Sequence, residues 1–220
     1  MKPVTLSFDN GPTPGTTGPV LDLLDKHGIL SAFFVIGEKL RSGPEASALV
    51  ARAVAAGHWI GNHSDTHSIP LGRCDPPEAA CEEINRAQAA IGTLAHPEKL
   101  FRPFGGGALG PHLLNRQAAD LLVKDGYTCV IWNAVPADWA GKGNANAHWV
   151  ERAREQIAQN DWPLVVLHDT EGACLGRLDE FLTGLKAENF DIRQEFPPDC
   201  LLIERGIAGS AERLSRFIAA

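Results

Sequence analysis

Apolar segments of strand length alternate with amphipathic segments along almost the whole of this 220-residue chain. Residues 4–8 and 29–36 are near-continuous apolar runs, as expected of strands buried on both faces. Residues 17–27 lie between them and combine a proline near the start with an apolar stripe and a terminal Gly28, which is typical of a helix. Because strand and helix alternate about seven times in this way, the pattern predicts an α/β fold with one parallel sheet.

The remaining elements continue this alternation. Further strands are predicted at residues 58–63, 99–103, 127–132, 163–167, 191–196 and 201–203. Helices are predicted at residues 45–56, 111–125, 144–160, 175–188 and 210–220. A further helix is predicted to follow a capping box at residues 75–78. With no linker between them, we expect a single domain over residues 1–220. It is either a parallel barrel or a doubly wound sheet, and no GxGxxG follows the first strand to favour a dinucleotide fold.

Composition excludes several classes of function. The formal charge of −7, with no basic stripe, disfavours nucleic acid as a partner. No segment approaches the ~18–20 apolar residues of a membrane span, so we expect no membrane partner. Five cysteines without a CxxC pair indicate reduced thiols, and the N-terminus enters a strand without an apolar leader. We therefore expect a cytoplasmic protein; the sequence does not specify its oligomeric state.

Two polar residues directly follow the first predicted strand. They are Asp9 and Asn10, and Gly11-Pro12 then turns the chain. Because α/β proteins keep their chemistry at the carboxyl ends of parallel strands, both are candidate site residues. The alternative is that they only cap the turn.

A pair of histidines, His63 and His67, follows the third predicted strand. One helical turn or a tight loop of this length brings both imidazoles to a common point, which suits a tetrahedral or octahedral metal site. Surface histidines in a loop are the alternative. The shared position at the carboxyl end of a strand, like that of Asp9 and Asn10, favours the metal site.

Three further strand ends carry polar groups. Arg102 ends its strand where its guanidinium would bind a carboxylate such as Asp9, the alternative being a surface salt bridge. His168 leaves a buried strand at a position that favours an acid/base role over that of a core histidine. Asp138 and Trp139 offer an acid and an aromatic wall, although the pair taken alone favours the alternative of a loop acid beside an interface tryptophan.

The order of these groups resembles the five motifs of the NodB-like polysaccharide deacetylases, carbohydrate esterase family 4. The matching segments are Phe8-Asp9-Asn10-Gly11-Pro12, His63-Ser64-x-x-His67, Arg102-x-Phe104, Asp138-Trp139 and Leu167-His168. Residues 57–64 are also similar to the family's lead-in to its histidines. The resemblance spans residues 4–196 and implies a single-domain distorted (β/α) barrel with seven or eight strands.

The resemblance also implies an enzyme that removes the acyl group from an N-acyl sugar. It implies one divalent metal ion, zinc or alternatively cobalt, manganese or nickel, bound by Asn10, His63 and His67. The implied catalytic set is Asp9 as general base, Arg102 orienting it, His168 as the acid that protonates the amine, and Asp138 tuning that acid. The implied substrate contacts are Phe104, whose backbone N–H would donate to the oxyanion, together with Trp139 and Leu167.

Three residues depart from the family pattern. The family usually has Asp where this chain has Asn10, so the site loses a negative charge and should hold its metal less tightly. Val135 stands where the fourth motif usually has its first acid, and Phe104 replaces the usual Tyr. The oxyanion role survives the last change because it uses backbone.

Three functions remain open. The leading hypothesis is deacylation of an N-acetyl or N-formyl sugar, as a small molecule or oligosaccharide rather than a wall polymer, because no export signal is seen and a glycine-rich stretch at 104–110 lies beside the site. Asn10 keeps open an allantoinase-like amidase that acts on a cyclic ureide with relaxed metal dependence. The third is a catalytically silent carbohydrate-binding homologue, against which the complete acid–base set argues.

Overall fold

The computed structural model describes residues 1–139 and 147–219, and within these ranges the chain forms nine strands and eight α-helices. The strands are β1 (Pro3–Asp9), β2 (Ala32–Val35), β3 (Trp59–Asn62), β4 (Leu100–Phe101), β5 (Thr128–Val130), β6 (Leu164–His168), β7 (Asp191–Arg193), β8 (Leu201–Glu204) and β9 (Ile207–Ala208). The helices are α1 (Thr17–His27), α2 (Gly37–Leu40), α3 (Pro44–Ala55), α4 (Ala79–Ile91), α5 (Arg116–Lys124), α6 (Trp149–Gln159), α7 (Leu175–Ala187) and α8 (Ala211–Ser215).

Strand β1 lies in the middle of a curled sheet. The strands run in the order β6-β1-β2-β3-β4-β5-β8-β9, and β7 pairs with the first residues of β1. Strands β1 to β7 are parallel, as predicted. A parallel bridge between Ala134 and Val165 brings the chain beyond β5 alongside β6, so the sheet curls back on itself. The prediction of a distorted (β/α) barrel, rather than an open doubly wound sheet, is thus confirmed.

The last two strands differ from the predicted parallel arrangement. β8 pairs antiparallel with β5, and β9 pairs antiparallel with β8. Only Arg205 and Gly206 separate β8 from β9, a connection long enough for a hairpin but too short for the crossover that a parallel pair requires. The segment after β7 therefore extends the β5 edge of the sheet instead of adding another strand and helix pair.

Some predicted boundaries are also corrected. The capping box at 75–78 does not form, because no side chain caps α4 and Glu78 accepts instead from Gln117 Nε2 at 3.1 Å. Residues 144–146, the start of the helix predicted at 144–160, lie outside the described residues, and α6 begins at Trp149. Helix α8 ends at Ser215, short of the predicted chain end, and residue 220 is also outside the described part. None of the described helices is long and apolar enough to cross a membrane.

The side chains of β1 alternate between two environments, as in any strand. Its apolar side chains belong to the same buried cluster as those of α1 and α7; they are Val4, Leu6 and Phe8. After Pro3, which is half-buried, its other side chains are polar yet buried; they are Thr5, Ser7 and Asp9. These polar side chains lie on the side of the sheet opposite to the apolar ones. The last of them, Asp9, therefore lies at the carboxyl edge of the barrel.

Candidate active site

A cavity of about 170 Å³ lies where the carboxyl ends of the parallel strands meet. Seven of the ten predicted site residues line it, and they are Asp9, Asn10, His63, His67, Phe104, Trp139 and His168. Two more, Arg102 and Asp138, lie directly behind this lining and bind members of it. The curled sheet thus brings together groups that are up to 159 positions apart in the chain.

Asp9 is held by a buried arginine. Arg102 Nη1 donates to Asp9 Oδ1 at 2.8 Å and to Ser7 Oγ at 2.7 Å, and the guanidinium carbon lies 4.0 Å from the centre of the Phe34 ring. Arg102 is 0% exposed, so the alternative of a surface salt bridge is wrong. Burial alone would raise the pKa of Asp9, but the surrounding charges, with that of Arg102 foremost, lower it. Asp9 is therefore a carboxylate at neutral pH.

His63 has a fixed tautomer. Its Nδ1 lies 2.8 Å from the backbone carbonyl of Arg102, and since a carbonyl only accepts, Nδ1 carries the hydrogen. The other nitrogen, Nε2, is left with its lone pair and lies 3.5 Å from Asp9 Oδ2. Burial lowers the pKa of His63 and keeps the imidazole neutral. This is the state in which histidine binds metal ions.

His67 lies beside His63 and beneath an aromatic ring. The two imidazole centroids are 4.8 Å apart, and the Phe104 ring lies 3.9 Å from that of His67. Burial, with a contribution from His63, lowers the pKa of His67 to about 3. Both imidazoles are therefore neutral, and both line the same cavity.

Asn10 reaches the cavity from a left-handed backbone conformation, with φ at 74°. Its Oδ1 is buried and has no hydrogen-bond partner among the residues that the structure describes. Buried polar atoms are nearly always bonded, so an unpartnered oxygen in a cavity indicates a ligand that completes it. Asn10 therefore lines the same cavity as His63 and His67.

The side chains that could hold a divalent cation are two imidazoles and one amide. Within the described residues, no group of three or more His, Cys, Asp and Glu side chains could hold a metal ion. The third donor here is an amide oxygen, that of Asn10, which such a grouping does not include. Two neutral imidazoles and an unpartnered oxygen suit an ion that accepts mixed nitrogen and oxygen ligands, as zinc does.

His168 is oriented by Asp138. Its backbone N–H donates to Asp138 Oδ2 and its Nδ1 to Asp138 Oδ1, each at 2.8 Å. Asp138 is 0% exposed, which excludes a solvent-exposed loop acid. Burial alone would lower the pKa of His168, but the hydrogen bond and charge of Asp138 raise it. The ring therefore keeps its proton to a higher pH than an ordinary histidine.

Aromatic side chains and glycines form the walls. The Trp139 ring lies 4.4 Å from that of His168, and the indole is 39% exposed. A Cβ placed on Gly107 would lie 3.4 Å from Trp139 Cη2, so the indole packs directly over this glycine. Trp132 Nε1 donates to the Gly107 carbonyl at 3.3 Å. The glycine-rich segment after β4 is thereby fixed beside Trp139 in this structure.

One predicted substrate contact is wrong. Leu167 is 0% exposed and belongs to the apolar core, whereas its neighbours Val166 and His168 line the cavity. Successive side chains of a strand point to opposite sides, so a strand whose His168 enters the site must turn Leu167 away from it.

Asp169 was not predicted to belong to the site. Its Oδ2 accepts from Thr17 Oγ1 at 2.6 Å, and its N–H donates to the Asp9 carbonyl at 3.3 Å. A Cβ on Gly11 would lie 2.0 Å from the same carboxylate, so only glycine fits there. Burial raises the pKa of Asp169 to about 6. The one sequence signal was an acid directly after His168 at a strand end.

Known proteins share this sequence pattern and fold. A family model described as polysaccharide deacetylase matches residues 1–130. A chitooligosaccharide deacetylase of Bradyrhizobium sp. (strain ANU 289) is 33% identical over 172 residues, which are 76% of this chain and 71% of the relative. The peptidoglycan-N-acetylglucosamine deacetylase PgdA of Listeria monocytogenes serotype 1/2a (strain 10403S) is 28% identical over 192 residues, which are 86% of this chain but 37% of PgdA.

A solved structure is similar over nearly the same range. The peptidoglycan deacetylase PdaC from Bacillus subtilis superposes with a TM-score of 0.69 at 27% sequence identity. The superposition covers 87% of this chain and 86% of that structure.

Proposed function

Because the chain belongs to the polysaccharide deacetylase family and is a carbohydrate deacetylase, we propose that it hydrolyses the amide of an N-acetyl sugar or short oligosaccharide with a general base, a general acid and one divalent metal ion. The base is Asp9 and the acid is His168. The metal ligands are His63, His67 and Asn10.

The observation that carries this proposal is the pairing of Asp9 with His168. They are register partners on the adjacent parallel strands β1 and β6, and both line the cavity. Each is fixed by its own buried partner of opposite charge type, Arg102 for the base and Asp138 for the acid. An acid and a base that line the same small cavity can act on one amide, the base on the attacking water and the acid on the leaving nitrogen.

Each of these side chains has one atom available for chemistry. Asp9 Oδ1 is bound by Arg102, so Oδ2 takes the proton of the attacking water. His168 Nδ1 is bound by Asp138, so Nε2 gives a proton to the leaving amine. The directions of the two pKa shifts support these roles, because the lowered pKa of Asp9 favours the carboxylate and the raised pKa of His168 favours the protonated imidazole.

The remaining groups bind and orient the substrate. The backbone N–H of Phe104 donates to the developing oxyanion, and Trp139 packs against the sugar. A divalent ion bound by His63, His67 and Asn10 would supply Lewis acidity for the acyl carbonyl and the attacking water. Zinc is the favoured ion, with cobalt, manganese and nickel as alternatives.

The size of the cavity supports a small substrate. Its volume of about 170 Å³ is below the roughly 300–1,000 Å³ of clefts that enclose drug-sized ligands. Trp139 packs over Gly107 and bounds the cavity on one side. We therefore expect one N-acyl sugar ring to be enclosed, with further rings of an oligosaccharide lying outside it.

The alternatives have less support. The relatives named above carry deacetylase names, which favours a sugar amide over the ureide of an allantoinase-like amidase. A silent carbohydrate-binding protein does not require a carboxylate and an imidazole each fixed by a buried partner. Asn10 is the feature that kept both alternatives open, and its unpartnered oxygen supports a ligand role instead.

The test measures acetate release from N-acetylglucosamine oligomers of increasing length and from insoluble chitin, with ring opening of a cyclic ureide followed as a separate assay. Wild-type protein should release acetate from short oligomers, and Asp9→Asn should be about 10²- to 10⁴-fold slower. Asp22→Asn is the matched control, because Asp22 is exposed on α1 and pairs with Arg52 at the surface. Near-wild-type turnover by Asp9→Asn would overturn the assignment of the base. Rates that rise steadily with chain length would overturn the expected preference for small substrates but not the assignment of the base.

A further inference from the structure

Glu83 on α4 binds the loop between His63 and His67. Its Oε2 accepts from the backbone N–H groups of Asp65 at 3.0 Å and Thr66 at 2.8 Å. Its Oε1 accepts from the Thr66 hydroxyl at 3.0 Å. One carboxylate thus takes three donors from two consecutive residues of the loop. Hydrogen bonds to a carboxylate are shorter and stronger than those between neutral groups.

The backbone of this loop needs external support. Ser64 and His67 have φ angles of 66° and 54°, in the left-handed region that non-glycine residues rarely occupy. Such conformations persist only where the surrounding structure holds them. The two residues that Glu83 binds are those that lie between Ser64 and His67 and join them.

Other parts of the fold bind the loop through different atoms. The N–H groups of Gly37 and Glu38 donate to the carbonyls of Ser64 and Asp65 at 3.1 and 2.9 Å. Glu83 binds N–H groups instead, so its contribution is not duplicated by these contacts. Helix α4 is itself fixed, because the face that carries Ala80, Ile84 and Ala87 is buried in the core.

From this geometry we infer that Glu83 is a positioning residue for the metal site. Its carboxylate holds the 64–65 and 65–66 peptide groups in place, so that the imidazoles of His63 and His67 reach a common ion. Glu83 is not among the residues that line the cavity, and its carboxylate bonds to the Asp65 and Thr66 N–H groups and the Thr66 hydroxyl, so it acts through the loop. The inference rests on the proposed metal site.

The test is zinc affinity of the metal-free protein, measured by competition with a chromophoric chelator. Glu83→Ala should bind zinc about 10- to 100-fold more weakly, the range found when groups that orient metal ligands are removed. Glu83→Gln should stay close to wild type, because its carbonyl oxygen still accepts both N–H groups. Glu82→Ala is the matched control: Glu82 is the preceding residue on α4 but is exposed and pairs with Arg86. Its zinc affinity should be unchanged.

The outcomes separate this inference from the proposed function. If wild-type protein binds no zinc, the metal site fails and Glu83 loses its role with it. If wild type binds zinc and Glu83→Ala binds it equally well, the role of Glu83 alone is overturned. Equal weakening in Glu82→Ala would also overturn it, since a general loss of charge would then explain the effect. Should Glu83→Ala not fold, Glu83→Asp keeps the carboxylate but shortens its reach, and the same weakening is expected.

Discussion

His63 donates its Nδ1 hydrogen to the backbone carbonyl of Arg102 over 2.8 Å, and the guanidinium of the same arginine binds Asp9. One residue therefore fixes both the tautomer of a proposed metal ligand and the orientation of the proposed base. The first interaction uses the backbone of Arg102 and the second its side chain. Substitution of Arg102 should separate them.

Arg102→Ala should destabilise the fold by about 3–5 kcal/mol, because it leaves the carboxylate of Asp9 buried without its partner. Urea unfolding at neutral pH measures this change. The control is Arg205→Ala, which removes an exposed arginine that pairs with Glu98 and should cost less than about 1 kcal/mol. An Arg102→Ala protein as stable as wild type would show that the buried pair does not hold Asp9 as described.

Asp138→Asn should move the alkaline limb of the pH profile of kcat/KM to lower pH. His168 acts as the acid, so activity is lost as pH rises through its pKa. Asp138 raises that pKa, and removing its charge lowers it. The acidic limb, which reports Asp9, should move far less. Asp161→Asn, at an exposed acid, is the control. An alkaline limb at the same pH in Asp138→Asn and wild type would contradict the role of His168.

Asn10→Asp should bind zinc more tightly than wild type, because a carboxylate replaces a neutral amide oxygen among the ligands. His63→Ala should bind it at least about tenfold more weakly. Elemental analysis of protein purified without chelator, followed by a competition titration, measures both. Unchanged affinity in Asn10→Asp would show that position 10 is not a ligand. Equal metal content in His63→Ala and wild type would overturn the site itself.

Asp169→Asn should flatten the pH dependence of stability between about pH 4 and 6. Burial raises the pKa of Asp169 to about 6 in the folded protein, so the folded state binds a proton that the unfolded state has lost. This group stabilises the folded state at low pH, and its contribution to the free energy of unfolding falls by roughly 3 kcal/mol as pH rises through that interval. Unfolding free energies of the metal-free protein at several pH values test this. Parallel curves for the variant and wild type would contradict it.

Patterns in the sequence located most of the strand ends on which the site is built. An apolar run followed by polar residues indicates a buried strand that reaches the edge of a sheet. This pattern precedes four of the site residues, namely Asp9, His63, Arg102 and His168. Their spacing, together with the resemblance to a family, also predicted which of them would be neighbours. These features depend on short segments of chain, so they can be seen without coordinates.

Side-chain direction and distant contacts were decided by the tertiary structure. The pattern at residues 163–168 did not show that Leu167 faces the core and Val166 the cavity, because a strand buried on both faces has no polar side to reveal its orientation.

By itself, then, the sequence determined the order of strands and helices and the polar groups at the strand ends. Only the fold decided that Glu83 supports the two-histidine loop, that Asp169 lies beneath Gly11, and that β8 and β9 turn antiparallel. The physical reason is that local propensity acts over a few residues. Pairing across the barrel depends instead on how whole strands and helices pack, and that is set by contacts between segments far apart in the chain.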